Sequence, residues 1–451
     1  MNQEAKSFYK SLVNVVGPIA IQNLITAAVG SADVIMLGFV GQTAIAASSL
    51  AGQVMFIMVM IATGLSSGLV MLAAQYWGKQ DVESIKILHG AALRISASAG
   101  LIFSFATMFF PDLLMKIFTK DQALIATGAE YLRAVSVSYI CFSISQIFQA
   151  GFKSIERVKI VTIMTTLALL LNIFLNGIFI FVFKMGIFGV GIATSIARFI
   201  ELAFCLIYAG TQKDVRFKIS NIFTFNKILN LDFIKYSLPA LGNELVWGAA
   251  FSVYSVILGH LGEDIVAANS VVNVIRQLAT ILCFGMAYGG AVVLGKTMGS
   301  GNLELAERNA KRLIKSTIIA GVGGGIILLC CYPVMPYIAS LSPLAAQYRN
   351  VLMFINAASI IGAAINTVFI CGVFRAGGDA KFGFYMDCIC MWLVSVPLGL
   401  IAAFLLKLPP LWVYFILYLD EFEKMPVIII HYLKKGWLKN ITRDDVKDEG
   451  R

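Results

Sequence analysis

Apolar residues run through this chain in long blocks separated by short polar interruptions, and most blocks reach the roughly 20 residues needed to cross a bilayer core. The blocks at 12–40, 44–77, 87–110, 123–151, 158–183, 187–210, 234–260, 265–297, 312–339, 346–375, 382–405 and 409–432 predict twelve transmembrane helices. Several are longer than a membrane requires, so tilt or protrusion into water is expected, above all where the second and eighth end, near Gly78 and Gly299. The longest polar stretch between blocks is 211–232, TQKDVRFKISNIFTFNKILNLD. It divides the chain into an expected N-lobe (1–210), a linker (211–232), a C-lobe (233–432) and a tail (433–451). With six spans on each side, both halves enter from the same face. The fold class is therefore an all-α polytopic membrane protein of two six-helix lobes related by a parallel pseudo-two-fold repeat.

The repeat is visible in the residues themselves. PIAIQNLITAAVGSADVIMLGFVG begins at Pro18, and PALGNELVWGAAFSVYSVILGHLG begins at Pro239, 221 residues later (239 − 18). The offset also pairs Leu37 with Leu258, Gly41 with Gly262, Gly64 with Gly285, Gly68 with Gly289 and Gly78 with Gly299. Polar positions do not pair in kind. Asp33 faces Tyr254 across the offset, and Glu244 faces Asn23. Chemistry is expected where the two copies differ.

Composition agrees with a membrane protein: 59% of residues are hydrophobic and 13% charged, where a soluble domain carries about 25% charged residues. The formal net charge of +10 is explained by basic inward-facing loops rather than by nucleic acid, since no basic stripe interleaved with aromatics occurs. Alternate connections hold Lys79 and Lys86; Lys153, Arg157 and Lys159; the 211–232 linker; Arg308, Lys311, Arg312 and Lys315; and Arg375 and Lys381. The opposite connections are short or nearly uncharged, so both termini are expected in the cytoplasm. The eight cysteines all lie in apolar segments and form no disulfide framework. The start, MNQEAKSFYKS, leads into a segment too long for the core of a cleavable signal peptide.

A carboxylate near the middle of a membrane helix costs about 2.5–3.5 kcal/mol on insertion scales, so each one needs a reason. Asp33 lies in the outer half of the first span, and its nearest charged neighbours in sequence are Lys10 and Lys79. It reads either as a structural acid held by a hydroxyl or backbone group, or as a site neutral when protonated and cation-attracting when ionised. Glu244, two turns into the seventh span, is a candidate for the coupling ion or for substrate. Asp387 near the start of the eleventh is a candidate ion site, an interfacial cap, or a partner of Arg375 or Lys381. Asn172 and Asn176 share one face of the fifth span and either bridge helices or line a wet cavity. Arg198 and Glu201, three apart in the sixth, can neutralise each other, and Arg276 in the eighth needs a partner that the sequence does not name. Pro18, Pro239 and Pro397 each free a backbone carbonyl and permit a bend. No catalytic constellation and no phosphate-binding GxxxxGK[ST] motif occurs, and His89, His260 and His431 are far apart; no enzyme and no cofactor is expected.

Taken together, Pro18, the ADVIMLGFVG run, LNIFLNGIFIF at 171–181, GIFGVGIATSIARFIE at 186–201, PALGNELVWG at 239–248, FRAGGDAKFGFYMD at 374–387 and the closing LPPLWVYFILYLDEFEKMP resemble the multidrug and toxic compound extrusion (MATE) family over nearly the whole chain. The resemblance implies two six-helix lobes around a central cleft, and export of organic, often cationic, drugs driven by inward flow of H⁺ or Na⁺. It matches Asp33 to an N-lobe cation site with Asn172 and Asn176 beside it, Glu244 to the acid of an NE-x-x-W motif, and Asp387 to the acid at the start of helix 11. Na⁺, if it is the coupling ion, is expected at Asp33 and no other metal is expected. Gln22, Asn23, Trp247, Arg198 and Glu201 are candidates for lining the substrate cleft. Where some members carry a helix 10 acid, this chain has Asn366. The expected protein is a monomeric cation/drug antiporter of the cytoplasmic membrane, with membrane lipid around it and no nucleic-acid partner. The alternative is a flippase for a lipid or lipid-linked oligosaccharide.

Overall fold

The computed structural model describes residues 3–335 and 341–444. The end of the ninth expected span (336–339) and of the tail (445–451) lie outside the described residues. Within them the chain is helical, and the helices follow the apolar blocks: α1 Gln3–Gly38, α2 Gln42–Gly78, α3 Val82–Phe109, the short α4 Pro111–Phe118, α5 Gln122–Ser154, α6 Val158–Val182, α7 Gly186–Thr211, α8 Lys227–His260, α9 Glu263–Gly299, α10 Leu303–Val334, α11 Pro343–Phe374 and α12 Ala380–Leu405. Eleven helices among the described residues are long and apolar enough to cross a membrane. The twelfth expected span instead forms two shorter helices, α13 Pro410–Leu417 and α14 Asp420–Leu433, broken by a turn at 418–419. The break falls where apolar LWVYFIL gives way to DEFEK.

The duplication reaches into capping and backbone geometry. Asp81 caps α3 by accepting from Ser84 N at 3.2 Å, and Asn302, 221 residues on, caps α10 by accepting from Leu305 N at 3.0 Å. Asp121 caps α5 through Ala123 N at 2.8 Å, and its mate Ser342 caps α11 through Ala345 N at 3.0 Å. The residue types differ, yet each puts a side-chain oxygen on an orphan amide. Gly41 (φ 142°, ψ 163°) and its mate Gly262 (φ 119°, ψ 162°) precede α2 and α9. That region is open essentially only to glycine. Both α6 and α12 end in a π-helical turn, with Phe183 N donating to Ile178 O at 3.1 Å and Leu406 N donating to Ile401 O at 2.8 Å.

The chain forms two compact units. One comprises Met1–Ala20 with Gly242–Thr442, and the other Ile21–Leu241 with Arg443–Arg451. The division therefore differs from the expected segments 1–210, 211–232, 233–432 and 433–451: it cuts through α1 and α8, two residues after Pro18 and two after Pro239. Each proline removes a helix hydrogen bond at that point. In the amino-terminal unit, the first part of α8 packs on α2 so tightly that a Cβ on Gly68 would fall 1.9 Å from Ser237 Oγ, and one on Gly64 2.4 Å from Leu241 Cα. In the carboxy-terminal unit, the first part of α1 packs on the equivalent glycines of α9 with more room: a Cβ on Gly285 would lie 3.4 Å from Val16.

This difference yields a paired test. Gly68→Ala must displace Ser237 and should destabilise the protein by about 1–3 kcal/mol through overpacking. Gly285→Ala meets an ordinary contact and should be neutral or slightly stabilising, since alanine suits a helix interior better. Thermal denaturation of the detergent-solubilised variants, followed by size exclusion, separates the two; equal melting would contradict this packing.

Candidate functional site

Each unit holds a cluster of polar side chains inside its apolar helices. In the amino-terminal unit the cluster is built on α1, α6 and α7. Asn172 and Asn176 are one helical turn apart, so both amides project from the same face of α6. Asn176 Nδ2 donates to Asp33 Oδ1 at 2.9 Å and to Asn172 Oδ1 at 3.4 Å, and Asn172 Nδ2 donates to Thr194 Oγ1 on α7 at 3.3 Å. Asp33 therefore points into its own helix bundle. Among the described residues no Lys, Arg or His lies within ion-pair distance of it; its hydrogen-bond partner is neutral. A carboxylate so placed keeps an unsatisfied charge that only a bound cation or a proton removes.

The other candidates of this unit are held nearby in less open fashion. Arg198 Nη1 bonds Glu201 Oε2 at 2.7 Å, and Gln149 Nε2 donates to Glu201 Oε1 at 2.9 Å. Arg198 also sits over the Phe142 ring, 5.0 Å from its centroid. Both ends of that pair are thus engaged within the unit. Gln22 Nε2 donates to Thr165 Oγ1 at 3.3 Å, while its Oε1 is buried without a partner. Asn23 is half-buried.

The carboxy-terminal unit carries the larger cluster. Arg375, just past the end of α11, bonds Glu244 Oε1 of α8 at 2.9 Å and donates to Asn243 Oδ1 at 2.6 Å. Asn243 Nδ2 donates to Asp387 Oδ2 of α12 at 2.6 Å, and Lys424 of α14 bonds Asp387 Oδ1 at 2.8 Å and Asp420 Oδ2 at 3.1 Å. Asp387 is thus joined to Lys424, and Asn243 bridges it to Arg375. The side chains of Glu244, Arg375, Asp387, Asp420 and Lys424 are at least nine-tenths buried. A pocket opens beside them, lined also by Trp247, Tyr288, Asn366 and Glu421. Arg276 lies over the Tyr418 ring at 4.7 Å.

Sequence reasoning picked out Glu244, Asp387 and Trp247 here and missed Asn243, Asp420, Glu421 and Lys424. The signal was present: 409–432 was read as a membrane span although its second half holds Asp420, Glu421, Glu423 and Lys424. The two copies also diverge in backbone at this place. Val368–Phe374 and Cys388–Ser395 are π-helical, directly before Arg375 and directly after Asp387, and the equivalent stretches of α5 and α6 are regular. Such segments are often found at functional sites.

A two-unit bundle of apolar helices with buried carboxylates in each unit defines a polytopic membrane protein of the transporter type. The MatE family model matches residues 18–178 and again 239–401, starting at Pro18 and at Pro239. The chain belongs to the MatE family. It is 22% identical over 440 residues to the uncharacterized transporter YisQ of Bacillus subtilis, covering 95% of each chain. It is 23% identical over 469 residues to a probable multidrug resistance protein NorM of Thermotoga maritima, covering 99% of this chain and 97% of that one. Among solved structures it resembles an outward-facing multidrug resistance MATE family transporter of the MOP superfamily, with a TM-score of 0.86, 17% identity, and 95% and 96% of the two chains covered. It also resembles a MOP superfamily transporter of Pyrococcus furiosus described as having a binding pocket of reverse polarity, with a TM-score of 0.84, 19% identity, and again 95% and 96% covered.

The buried pair gives a direct energetic test. Glu244→Gln leaves the Arg375 guanidinium without its carboxylate and should destabilise the protein by on the order of 3 kcal/mol, whereas Glu244→Gln with Arg375→Met should recover part of that loss. Thermal melts of the single and double variants measure the coupling, and additive losses would show that the pair does not stabilise the unit.

Proposed function

We propose that this chain is a secondary antiporter that exports small organic, cationic compounds against an inward flow of H⁺ or Na⁺. The observation that carries the reading is Asp33: an acid inside a membrane helix, turned into its unit, and hydrogen-bonded to the neutral Asn176 rather than paired with a base. When ionised it holds a cation; when occupied by H⁺ or Na⁺ it is neutral and releases a competing cationic substrate. Alternating access couples the two, because occupancy shifts the balance between states only through different affinities in each. Membership of a family whose relatives include proteins named for multidrug resistance supports the substrate class. A lipid-linked oligosaccharide flippase would need free cations for a pyrophosphate group. In the carboxy-terminal pocket Arg375 and Lys424 are both tied to carboxylates, which does not favour that reading. The basic connections support cytoplasmic termini in a cytoplasmic membrane.

Reconstituted protein should drive ethidium efflux from liposomes when a pH or a sodium gradient is imposed, and the two gradients tested separately identify the ion. Asp33→Asn should reduce gradient-driven efflux at least tenfold while the protein still elutes as a monodisperse peak. Undiminished efflux by that variant would remove Asp33 from the coupling step.

A further inference from the structure

The connection between α7 and α8 is pinned to its unit rather than left slack. From 215 to 218 buried and exposed residues alternate: Val215 and Phe217 turn inward, Arg216 and Lys218 outward. Phe217 packs against the rings of His89 and Phe152, with centroids 4.6 and 5.6 Å away. Arg94 of α3 clamps the turn that follows. Its guanidinium donates to Ile222 O at 2.7 Å, to Thr224 O at 2.8 Å and to Asn230 Oδ1 at 2.6 Å. Asn226 then starts α8 by accepting from Leu229 N at 3.0 Å.

On that fixed backbone two aromatic rings are left uncovered. Phe223 is 84% exposed and Phe225 74%, more than any other aromatic side chain among the described residues. Apolar rings held out of the core in this way mark a surface that another apolar medium covers. Arg94 lies 5.6 Å from the Phe225 centroid and so ties that ring to the start of α8. There Leu231, Ile234 and Leu238 are exposed on one face of the helix. On a membrane span such a face meets acyl chains, and the two rings continue it past the helix end. The duplication does not require them: Asp444 stands 221 residues after Phe223 (444 − 223) and bonds Lys79. Charge is the second observation. Lys213, Arg216, Lys218 and Lys227 are exposed, and among the described residues none of their side chains has an ion-pair or hydrogen-bond partner. Both acids of the connection are taken, Asp214 by Arg157 and Asp232 by Arg443.

We propose that the 213–227 connection is a binding site for anionic phospholipid at the membrane–water boundary. Phe223 and Phe225 seat among the first carbons of the acyl chains, and Lys213, Arg216, Lys218 and Lys227 hold the phosphate-bearing headgroups. The rings alone would accept any lipid; the unpaired cations select a negative one. A soluble acidic partner would answer the charges but not the two rings that extend a lipid-facing helix. A second copy of the chain would bring the same positive charge and repel. The connection thus serves as an anchor in the bilayer surface and not as an aqueous tether, whatever the transported compound and the coupling ion are.

Two readouts on the full-length protein test insertion and selectivity. For insertion, Phe223→Trp is placed in nanodiscs of phosphatidylcholine and phosphatidylglycerol. The emission it adds to that of the unsubstituted protein should fall at least twofold with lipid brominated in its acyl chains and resist acrylamide in the water. The reverse pattern would put the ring in water and overturn the site. For selectivity, native mass spectrometry counts the phosphatidylglycerol and phosphatidylcholine retained by detergent-purified protein. Lys213→Gln, Arg216→Gln, Lys218→Gln and Lys227→Gln together should weaken phosphatidylglycerol retention at least threefold and leave phosphatidylcholine unchanged. Phe223→Ser with Phe225→Ser should weaken both. The four Gln changes are also made as two separate pairs, so that a monodisperse variant is in hand if the quadruple one misfolds. Undiminished phosphatidylglycerol retention in the monodisperse charge variants would overturn the proposal. A dimer seen by light scattering, and dissolved by the two Ser changes, would assign the rings to a second copy and overturn it as well.

Discussion

The chain places Glu244, Arg375, Asp387, Asp420, Glu421 and Lys424 in helices that are otherwise apolar, and none of these groups has access to enough water to be left alone. A charge moved from water into a low-dielectric interior loses several kcal/mol of solvation, and only a partner at hydrogen-bond distance restores it. Satisfying them together fixes how α8, α11, α12 and α14 are arranged around the pocket. Arg375 cannot reach Glu244 and Asn243 together unless the end of α11 lies against α8, and Lys424 cannot reach Asp387 unless α14 lies against α12. The π-helical stretches on either side of these residues belong to the same solution: each extra residue in a turn re-aims the side chains that follow it. The apolar core of Tyr254, Ile257, Val272, Tyr414 and Leu417 then packs in the same unit.

Against that constraint the amino-terminal unit is instructive. Its helices descend from the same pattern, its caps occupy the same positions, and its glycines make the same kind of approach to the neighbouring helix. Yet it keeps a single acid on amides rather than a network of ion pairs. Asp33 is supported by Asn176, itself supported by Asn172, which leans on Thr194. Every member of that chain after Asp33 is neutral, so the carboxylate is oriented without being neutralised. Arg198, the cation of this unit's own sixth span, is already bound to Glu201. One scaffold used twice thus presents two electrostatic environments, one with an unpaired acid and one with an almost balanced cluster.

The repeat also explains why identity between the copies is so low while their architecture agrees. Asp81 and Asn302, or Asp121 and Ser342, are different residues performing one task, which is to offer an oxygen to an amide that the helix cannot satisfy. Where no other residue can do the task, as at Gly41 and Gly262, the identity itself is retained.

Much of this was legible in the residues alone. Length and polarity of the apolar blocks gave the helices, because backbone groups in lipid leave no other structure open to an isolated segment. The 221-residue offset gave the duplication, Asp33 stood out as an acid alone in an apolar span, and the Asn172–Asn176 and Arg198–Glu201 pairs followed from spacing along single helices, where 3.6 residues per turn decides which side chains meet. Three things were decided only by tertiary structure. Compact units that divide after Pro18 and Pro239 depend on which helix each segment packs against. The break at 418–419 depends on burying Asp420, Glu421 and Lys424 beside groups far away in sequence. The Asn366 amide meets the Glu421 carboxylate only because α14 brings them together across 55 residues of chain. Periodicity reports neighbours within a helix; neighbours between helices are fixed by packing and charge pairing, which leave no period to read.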